Sequence, residues 1–403
     1  MDTNMEKAAF TTLFDKSKGL FKAGLGLKAF KELLKEWEAL FEDDTVSFER
    51  YKTTVGCLVF ESEINSLLEE QLKPDQLMAA IHEKFFRTRD KRCEVGQVLS
   101  HIKNKETDIY RAFNKNVQSV GLILKYDKDM FQPSKRSDSF ELDSVVCADV
   151  FGIESPNAPN GFMPLCPEFY YNGQMVPKTE IFGSGYLFSP NVVVTAAHVI
   201  KEAIESIQDS KDLIFIFGLY IYKHYKDGRP NILLAKKDSI YRLNQDNLWE
   251  NSQTINGDTG DSAWLKVTPL FDEGQRNSTV TTNLDARIPN PVSMSINEPV
   301  YALGHGLGVP MKLSFSGTIE HPSKNGWMGC ELDIFPGNSG SPVFHANTHE
   351  LLGIISGPDN LWRPEFSNKN CVSYQINLSG NQSVQTSEIE LLIKKMKKHE
   401  YHH

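Results

Sequence analysis

Phe335-Pro336-Gly337-Asn338-Ser339-Gly340-Ser341-Pro342-Val343 places one serine between glycines, directly ahead of an apolar run. Glycine close by on both sides lets the main chain turn tightly at Ser339. Such a turn pushes Oγ outward and points the amides of Gly337 and Ser339 at one spot. A hydroxyl is a weak nucleophile at neutral pH, so chemistry at Ser339 requires a base to take its proton and a carboxylate to hold that base.

Both partners have candidates upstream. Gly183-Ser184-Gly185 opens an apolar strand pair that ends in Val194-Thr195-Ala196-Ala197-His198. The small residues before His198 let its ring emerge beside a close-packed neighbour. Gly260-Asp261-Ser262-Ala263-Trp264-Leu265-Lys266-Val267 then sets an acid at the start of a buried-looking strand. Asp258 competes for the same role but does not abut the apolar run. The order along the chain is His198, Asp261, Ser339.

Outward from these motifs, everything after Ser144 reads as short β-branched and aromatic runs separated by turn residues. The runs are Ile181–Phe188, Val192–Thr195, Leu213–Tyr222, Ile232–Ala235, Ala263–Val267, Val300–Leu303, Pro342–Phe344, Leu351–Ser356 and Val372–Ile376. Many short strands at close spacing predict a sandwich or barrels. A last helix is predicted from Ser387 to Lys398, where Ser387 and Glu390 form a capping box.

The N-terminal part has a different pattern. Phe30, Leu33, Leu34, Trp37, Leu40 and Phe41 recur at helical spacing, as do Ile64, Leu67, Leu68 and Leu72. Further helical patterns follow at Leu77, Met78, Ile81, Phe85 and Phe86, and from Thr107 to Leu124; the run Val55–Phe60 is strand-like. The polar stretch 126–143, with Pro133 and the pair Lys135-Arg136, reads as an exposed linker. The expected division is a helical regulatory or adaptor domain at 1–125, a linker at 126–143 and a second domain at 144–403. Two readings of the helices stay open: they build a small core of their own, or they dock a partner protein or cover a cleft.

A net charge of −9 and no basic face argue against nucleic acid as a partner. No apolar run approaches the roughly 18 residues of a membrane span, which predicts a soluble chain without membrane contact. Met1 to Lys18 lacks the layout of a secretory signal, so a cytoplasmic location is expected. Six scattered cysteines show no metal-ligand spacing. They are expected as buried thiols, with a Cys330–Cys371 disulfide as the alternative. No metal and no organic cofactor is expected, the C-terminal His402-His403 included. Gly304-His305-Gly306-Leu307-Gly308 lacks the lysine and the strand-to-helix setting of a phosphate loop and reads as a turn.

Thr195-Ala196-Ala197-His198, Asp261-Ser262-Ala263-Trp264-Leu265 and Gly337-Asn338-Ser339-Gly340-Ser341-Pro342 resemble the three signatures of the chymotrypsin-fold, trypsin-like serine peptidases, in that family's order. The resemblance spans roughly residues 145–400. It implies an all-β double β-barrel with a C-terminal helix behind the N-terminal helical domain, and a serine endopeptidase acting on protein or peptide substrates. It assigns His198 as general base, Asp261 as its orienting acid and Ser339 as nucleophile, with the Gly337 and Ser339 amides as oxyanion hole. Ser356 resembles the serine that helps hold the aspartate, and Gly357 would meet the substrate backbone. Asp333, six residues before Ser339, resembles a pocket floor favouring Arg or Lys; the alternative is a strand-end aspartate bonded to backbone.

The departures point to a branch. Asn338 replaces the aspartate that captures a newly cut N-terminus, and Val199 stands where many members have cysteine. With Gly-Asn-Ser-Gly-Ser-Pro, these resemble the bacterial HtrA-type and glutamyl-endopeptidase branches, although no PDZ region follows and Ile355 replaces the glutamyl enzymes' histidine. Pro358 lies where family members use an N–H donor, and it has none. The competing expectation is a catalytically silent peptidase fold that serves as a binding module.

Overall fold

The computed structural model describes residues 3–23, 27–40, 51–70, 76, 80, 92–101, 107–150, 153–154, 162–163, 171, 173–207, 209–220, 232–244, 261–271, 294–324, 327–358, 364–367, 371–374 and 383–388. Helices α1 (Thr3–Ala23), α2 (Leu27–Leu40), α3 (Thr54–Glu69), α4 (Val95–His101) and α5 (Asp108–Gln118) lead into a region dominated by strands. The face of α2 carrying Phe30, Leu33, Leu34 and Trp37 is buried, as its periodicity predicts.

Two expectations in this half are corrected. Val55–Phe60, read as strand-like, forms the first turns of α3, where the Thr53 hydroxyl accepts the Gly56 amide at 2.9 Å. Every residue from Thr53 to Phe60 is buried, so the polar face that would mark a helix in sequence is missing. The helix predicted over Thr107–Leu124 stops at Gln118. Thr107 caps its start by accepting the Tyr110 amide at 3.2 Å, and Ser119 turns the chain with its hydroxyl on the Lys115 carbonyl at 2.9 Å.

Val120–Lys125 is then a strand at the heart of a closed six-stranded barrel. The barrel runs Val192–Thr195, Ala263–Pro269, Ile240–Leu243, Leu213–Phe217, Val120–Lys125, Ile181–Ser189 and back to its start. The domain boundary expected after residue 125 therefore falls behind the first barrel strand. The expected linker 126–143 is also built into the fold: Phe131–Pro133 pairs with Ser139–Leu142, and the latter with Leu234–Lys236.

The remaining strands form a seven-stranded sheet in the order Cys93–Glu94, Lys312–Lys324, Pro299–Gly304, Pro342–His345, Leu351–Pro358, Ser383–Glu388, Trp327–Glu331. Lys312–Lys324 pairs with Trp327–Glu331 as well. Of the two barrels the resemblance implies, the structure thus describes one closed barrel and this sheet. Helix α6 (Ala197–Ser206) interrupts the part expected to be all-β. Ser387, expected to start the last helix, lies in the strand Ser383–Glu388 opposite Trp327 and Ile354. The Val384 and Thr386 positions favour an extended chain there, and ladder pairing on both sides outweighs a local capping box. Residues 389–398 of that expected helix lie outside the described residues.

Among the described residues the helices share a core with the strands. One apolar cluster joins Trp37 of α2, Phe60 of α3 and Phe113 of α5 to Tyr186 and Trp264 of the barrel and to Tyr301 and Phe344 of the sheet. Asn116 of α5 donates to the Tyr301 hydroxyl at 2.9 Å and to the His349 carbonyl at 3.0 Å, while the Thr54 amide at the start of α3 donates to Asn347 Oδ1 at 3.1 Å. Fully buried Phe113 lies 6.0 Å from the Tyr301 ring, centroid to centroid. Phe113→Ala is therefore expected to cost about 3–5 kcal/mol. In urea titrations, helical ellipticity and tryptophan fluorescence should shift together by that amount; two separate transitions with only the helical one displaced would contradict a shared core.

Candidate active site

The barrel register places the acid beside the histidine. Thr195 pairs with Ala263, so His198 emerges just past one strand end as Asp261 enters at the other. His198 lies in the first turn of α6, whose cap residue Ala196 has no side chain to satisfy the exposed amides. Asp261 takes that part: Oδ1 accepts the His198 amide at 2.9 Å. Its Oδ2 accepts His198 Nδ1 at 2.5 Å and also the Ser356 hydroxyl. A carboxylate near a helix N-terminus is further favoured by the backbone dipoles.

Because an ionised carboxylate only accepts, Nδ1 carries the proton and Nε2 is left as the basic nitrogen of the neutral ring. The Asp261 hydrogen bond raises the pKa of His198 above its ordinary value, against the opposing effect of burial. For Asp261, burial pushes upward most strongly, but the hydrogen bonds from His198 and Ser356 and the histidine charge together hold it below its ordinary value. His198 is about a third exposed, with 37% side-chain accessibility, so a ligand can reach it.

Ser339 sits on two consecutive turns. The Asn338 amide donates to the Phe335 carbonyl at 2.9 Å, closing a turn with Pro336 and Gly337 at its centre, and Gly337 has φ +92°. That is the signature of a type II turn, which needs a residue tolerant of positive φ at its third position. The next turn closes from the Ser341 amide to the Asn338 carbonyl at 2.9 Å, with Gly340 at φ +84°. A Cβ on Gly340 would lie 2.0 Å from the Ser184 carbonyl oxygen, so conformation and space both demand glycine. Neither the Gly337 nor the Ser339 amide donates a hydrogen bond to any described residue.

Ser356 joins the two halves. Along Leu351–Pro358, Ile355 pairs with Thr386 and Gly357 with Gln385, which leaves Ser356 as the extra residue of a β-bulge. The bulge turns its hydroxyl to Asp261 and frees its carbonyl, which accepts Ser339 Oγ at 3.1 Å. The structure therefore brings His198, Asp261, Ser356 and Ser339 into one connected chain of contacts, with Ser339 directed at Ser356 rather than at the imidazole. Gly357 follows directly in the same strand. Asp333 is half-buried, and its amide donates to Ser314 Oγ at 3.0 Å. Asp258 lies outside the described residues.

Sequence reasoning missed the role of Ser184. Its amide donates to the Ser339 carbonyl at 2.8 Å, its hydroxyl donates to the Gly337 carbonyl at 2.9 Å and accepts the His305 amide at 3.1 Å, and its carbonyl accepts Thr195 Oγ1 at 2.7 Å. The only signal for it was the small triplet Gly183-Ser184-Gly185. No cysteine competes as nucleophile among Cys57 and Cys147, whose thiols burial pushes up to about 12. Cys57, Cys93, Cys147 and Cys330 are buried thiols. Among the described residues no group of three or more His, Cys, Asp or Glu is placed to hold a metal, and no helix is long and apolar enough to cross a membrane.

Residues 183–354 match the family model described as a trypsin-like peptidase domain. This stretch, which contains His198, Asp261 and Ser339, is a trypsin-like, chymotrypsin-fold serine-peptidase domain. No curated protein matches the chain.

Two further histidines bear on stability rather than chemistry. His305, fully buried beneath the Ser339 turn, gives its Nδ1 proton to the Val309 carbonyl at 3.1 Å, and Nε2 has no partner among the described residues. Burial, with a smaller push from Lys312, pulls its pKa down to about 4. Burial, with help from His345, does the same to His349, also to about 4. In the unfolded chain each ring takes up its proton near about 6.5. Between that value and 4 the unfolded state binds more protons, so stability falls as pH drops through this window and levels off below it. The slope should approach about 1.4 kcal/mol per pH unit for each ring. Urea midpoints measured from pH 7 to pH 4 check this, and His349→Gln should remove about half the slope; a flat profile would contradict it.

Proposed function

We propose that the chain is a serine endopeptidase that hydrolyses peptide bonds through an acyl-enzyme. The observation that carries this reading is the Asp261–His198 pair bound through both the ring and the backbone amide, linked by Ser356 to a serine flanked by two unengaged amides. In the proposed reaction Ser339 Oγ rotates from the Ser356 carbonyl to His198 Nε2 and attacks the substrate carbonyl carbon while its proton passes to Nε2. The developing oxyanion takes up the Gly337 and Ser339 amides. The imidazolium, held by Asp261, returns the proton to the leaving amine as the C–N bond breaks, and water then cleaves the ester by the same path in reverse.

The pairing of Lys312–Lys324 with Trp327–Glu331 supports reading the seven-stranded sheet as the family's second barrel. Asp333 stands as the proposed source of a preference for Arg or Lys, and Gly357, beside the bulge, as the proposed backbone contact of the substrate. The second reading, a silent binding module, draws on one observation: Ser339 donates to Ser356, not to His198.

A fluorophosphonate probe separates the two. The wild-type protein is expected to gain one adduct on Ser339, and Ser339→Ala none. Against a cleaved peptide, Ser339→Ala should lower kcat about 10⁶-fold and Asp261→Asn about 10⁴-fold. Undiminished turnover in purified Ser339→Ala would end the proposal, whereas an unreactive wild type would favour the binding module.

The pH profile gives an independent check. The base must be neutral to act, and its Asp261 bond holds its pKa above the ordinary value. The log of kcat/KM should therefore rise with pH through an inflection above about 6.5. In residual activity of Asp261→Asn the inflection should move downward; an inflection unmoved by that change would remove Asp261 from the role.

A further inference from the structure

The guanidinium of Arg92 lies against the Ser339 turn although the residue belongs to the chain between the first three helices and α4. Its main chain is firmly held. Cys93 and Glu94 pair with Leu313 and Lys312 in an antiparallel ladder, and the Tyr171 hydroxyl donates to the Arg92 carbonyl at 2.7 Å. The Glu94 carboxylate receives the Lys312 ammonium at 2.9 and 3.0 Å, and Gln174 Oε1 receives it at 2.7 Å, all out of contact with water.

From this anchor the Arg92 side chain, 5% exposed, lays its Cζ 3.7 Å from the centroid of the Phe335 ring. Phe335 opens the type II turn, and its carbonyl accepts the Asn338 amide. The loop Gly304–Gly308 closes the space beside it. The Leu307 amide donates to the Pro336 carbonyl at 2.5 Å, and a Cβ on Gly306 would meet Asn338 Nδ2 at 2.6 Å and Arg92 at 3.1 Å.

This confinement matters because type I and type II turns differ by a flip of the central peptide. Here that peptide joins Pro336 to Gly337, and the flip would reverse the Gly337 N–H away from the spot faced by the Ser339 amide. Glycine imposes no preference of its own. The surroundings must therefore choose, and they do so by binding the Pro336 carbonyl and pinning the Phe335 ring.

We propose that Arg92 is a positioning residue, which by stacking on Phe335 keeps the Gly337 amide turned toward the oxyanion site and makes the segment 92–94 part of the working peptidase. The proposal rests on the peptidase reading for its kinetic consequences but not for its structural one. Arg92→Ala, Arg92→Lys and Phe335→Leu in the full chain test it. Three readouts apply: the unfolding midpoint, steady-state kinetics on a fluorogenic peptide that the wild type cleaves from a mixed pool, and hydrogen exchange at the Asn338 amide.

Arg92→Ala is expected to lower kcat about 10²-fold, the cost of one lost oxyanion donor, with KM within about threefold of wild type. Arg92→Lys should recover only part, since an ammonium cannot stack as a plane on the ring. Exchange at Asn338 should quicken about tenfold or more in Arg92→Ala and in Phe335→Leu. A folded Arg92→Ala with wild-type kcat and wild-type exchange overturns the proposal, as does full recovery by lysine. If Arg92→Ala fails to fold, Arg92→Lys and Phe335→Leu decide by the same criteria. If the wild type neither cleaves the pool nor takes the fluorophosphonate, the peptidase reading fails and Asn338 exchange alone judges the strut.

Discussion

A single carboxylate sets the terms for the whole site. Asp261 is removed from most of its water, and an ionised group in that position is costly unless donors replace the lost hydration. Three donors do so: the His198 amide, the His198 ring and the Ser356 hydroxyl. They come from the start of α6 and from a bulge in the seven-stranded sheet. Keeping the acid ionised therefore requires the barrel and the sheet to meet at one fixed distance. Together these donors outweigh the strong upward push of burial on its pKa. Satisfying the charge and aligning the imidazole are the same act.

The meeting of barrel and sheet is secured elsewhere by the helices. Asn116 is fully buried at the end of α5, and its amide spans Tyr301 in the sheet and the His349 carbonyl in the turn between two sheet strands, while the next residues enter the barrel as Val120–Lys125. Loss of that amide would strand two buried acceptors, so the contact fixes geometry as well as adding stability. The consequence is that the described residues of the first hundred are not an accessory laid on a finished strand region. They supply apolar surface to the common core, one edge strand to the sheet, and the cation stacked behind the Ser339 turn.

How much of this the sequence disclosed follows from the range of the forces involved. The turn around Ser339 was legible because glycine at positive φ and a small-residue approach to His198 are local demands, written in consecutive residues. The strand Val120–Lys125 was not, because it is buried on both faces and so lacks the alternation that marks a half-exposed strand. The same uniform burial disguised the start of α3. Ser356 could be singled out by resemblance, but the bulge that aims it depends on a register shift against Ser383–Glu388, which no single segment records. Ser184 is the extreme case: four contacts with three distant segments hang on a residue whose neighbours look like an ordinary small turn.

The direction of the Ser339 hydroxyl shows which features of such a site can be spared and which cannot. Its bond to the Ser356 carbonyl is one neutral hydrogen bond, of net worth about 0.5–1.5 kcal/mol, and giving it up frees Oγ to turn about a single side-chain torsion. The main chain beneath it has no such freedom. Gly340 is wedged against Ser184, the Ser339 carbonyl is bound by the Ser184 amide, and the Gly340 amide is bound by the Ile355 carbonyl at 2.7 Å. A side chain that turns on a fixed backbone keeps both unengaged amides in place whichever way it points. The orientation of Oγ thus weighs little against the proposed chemistry, while a flipped Pro336–Gly337 peptide would weigh heavily.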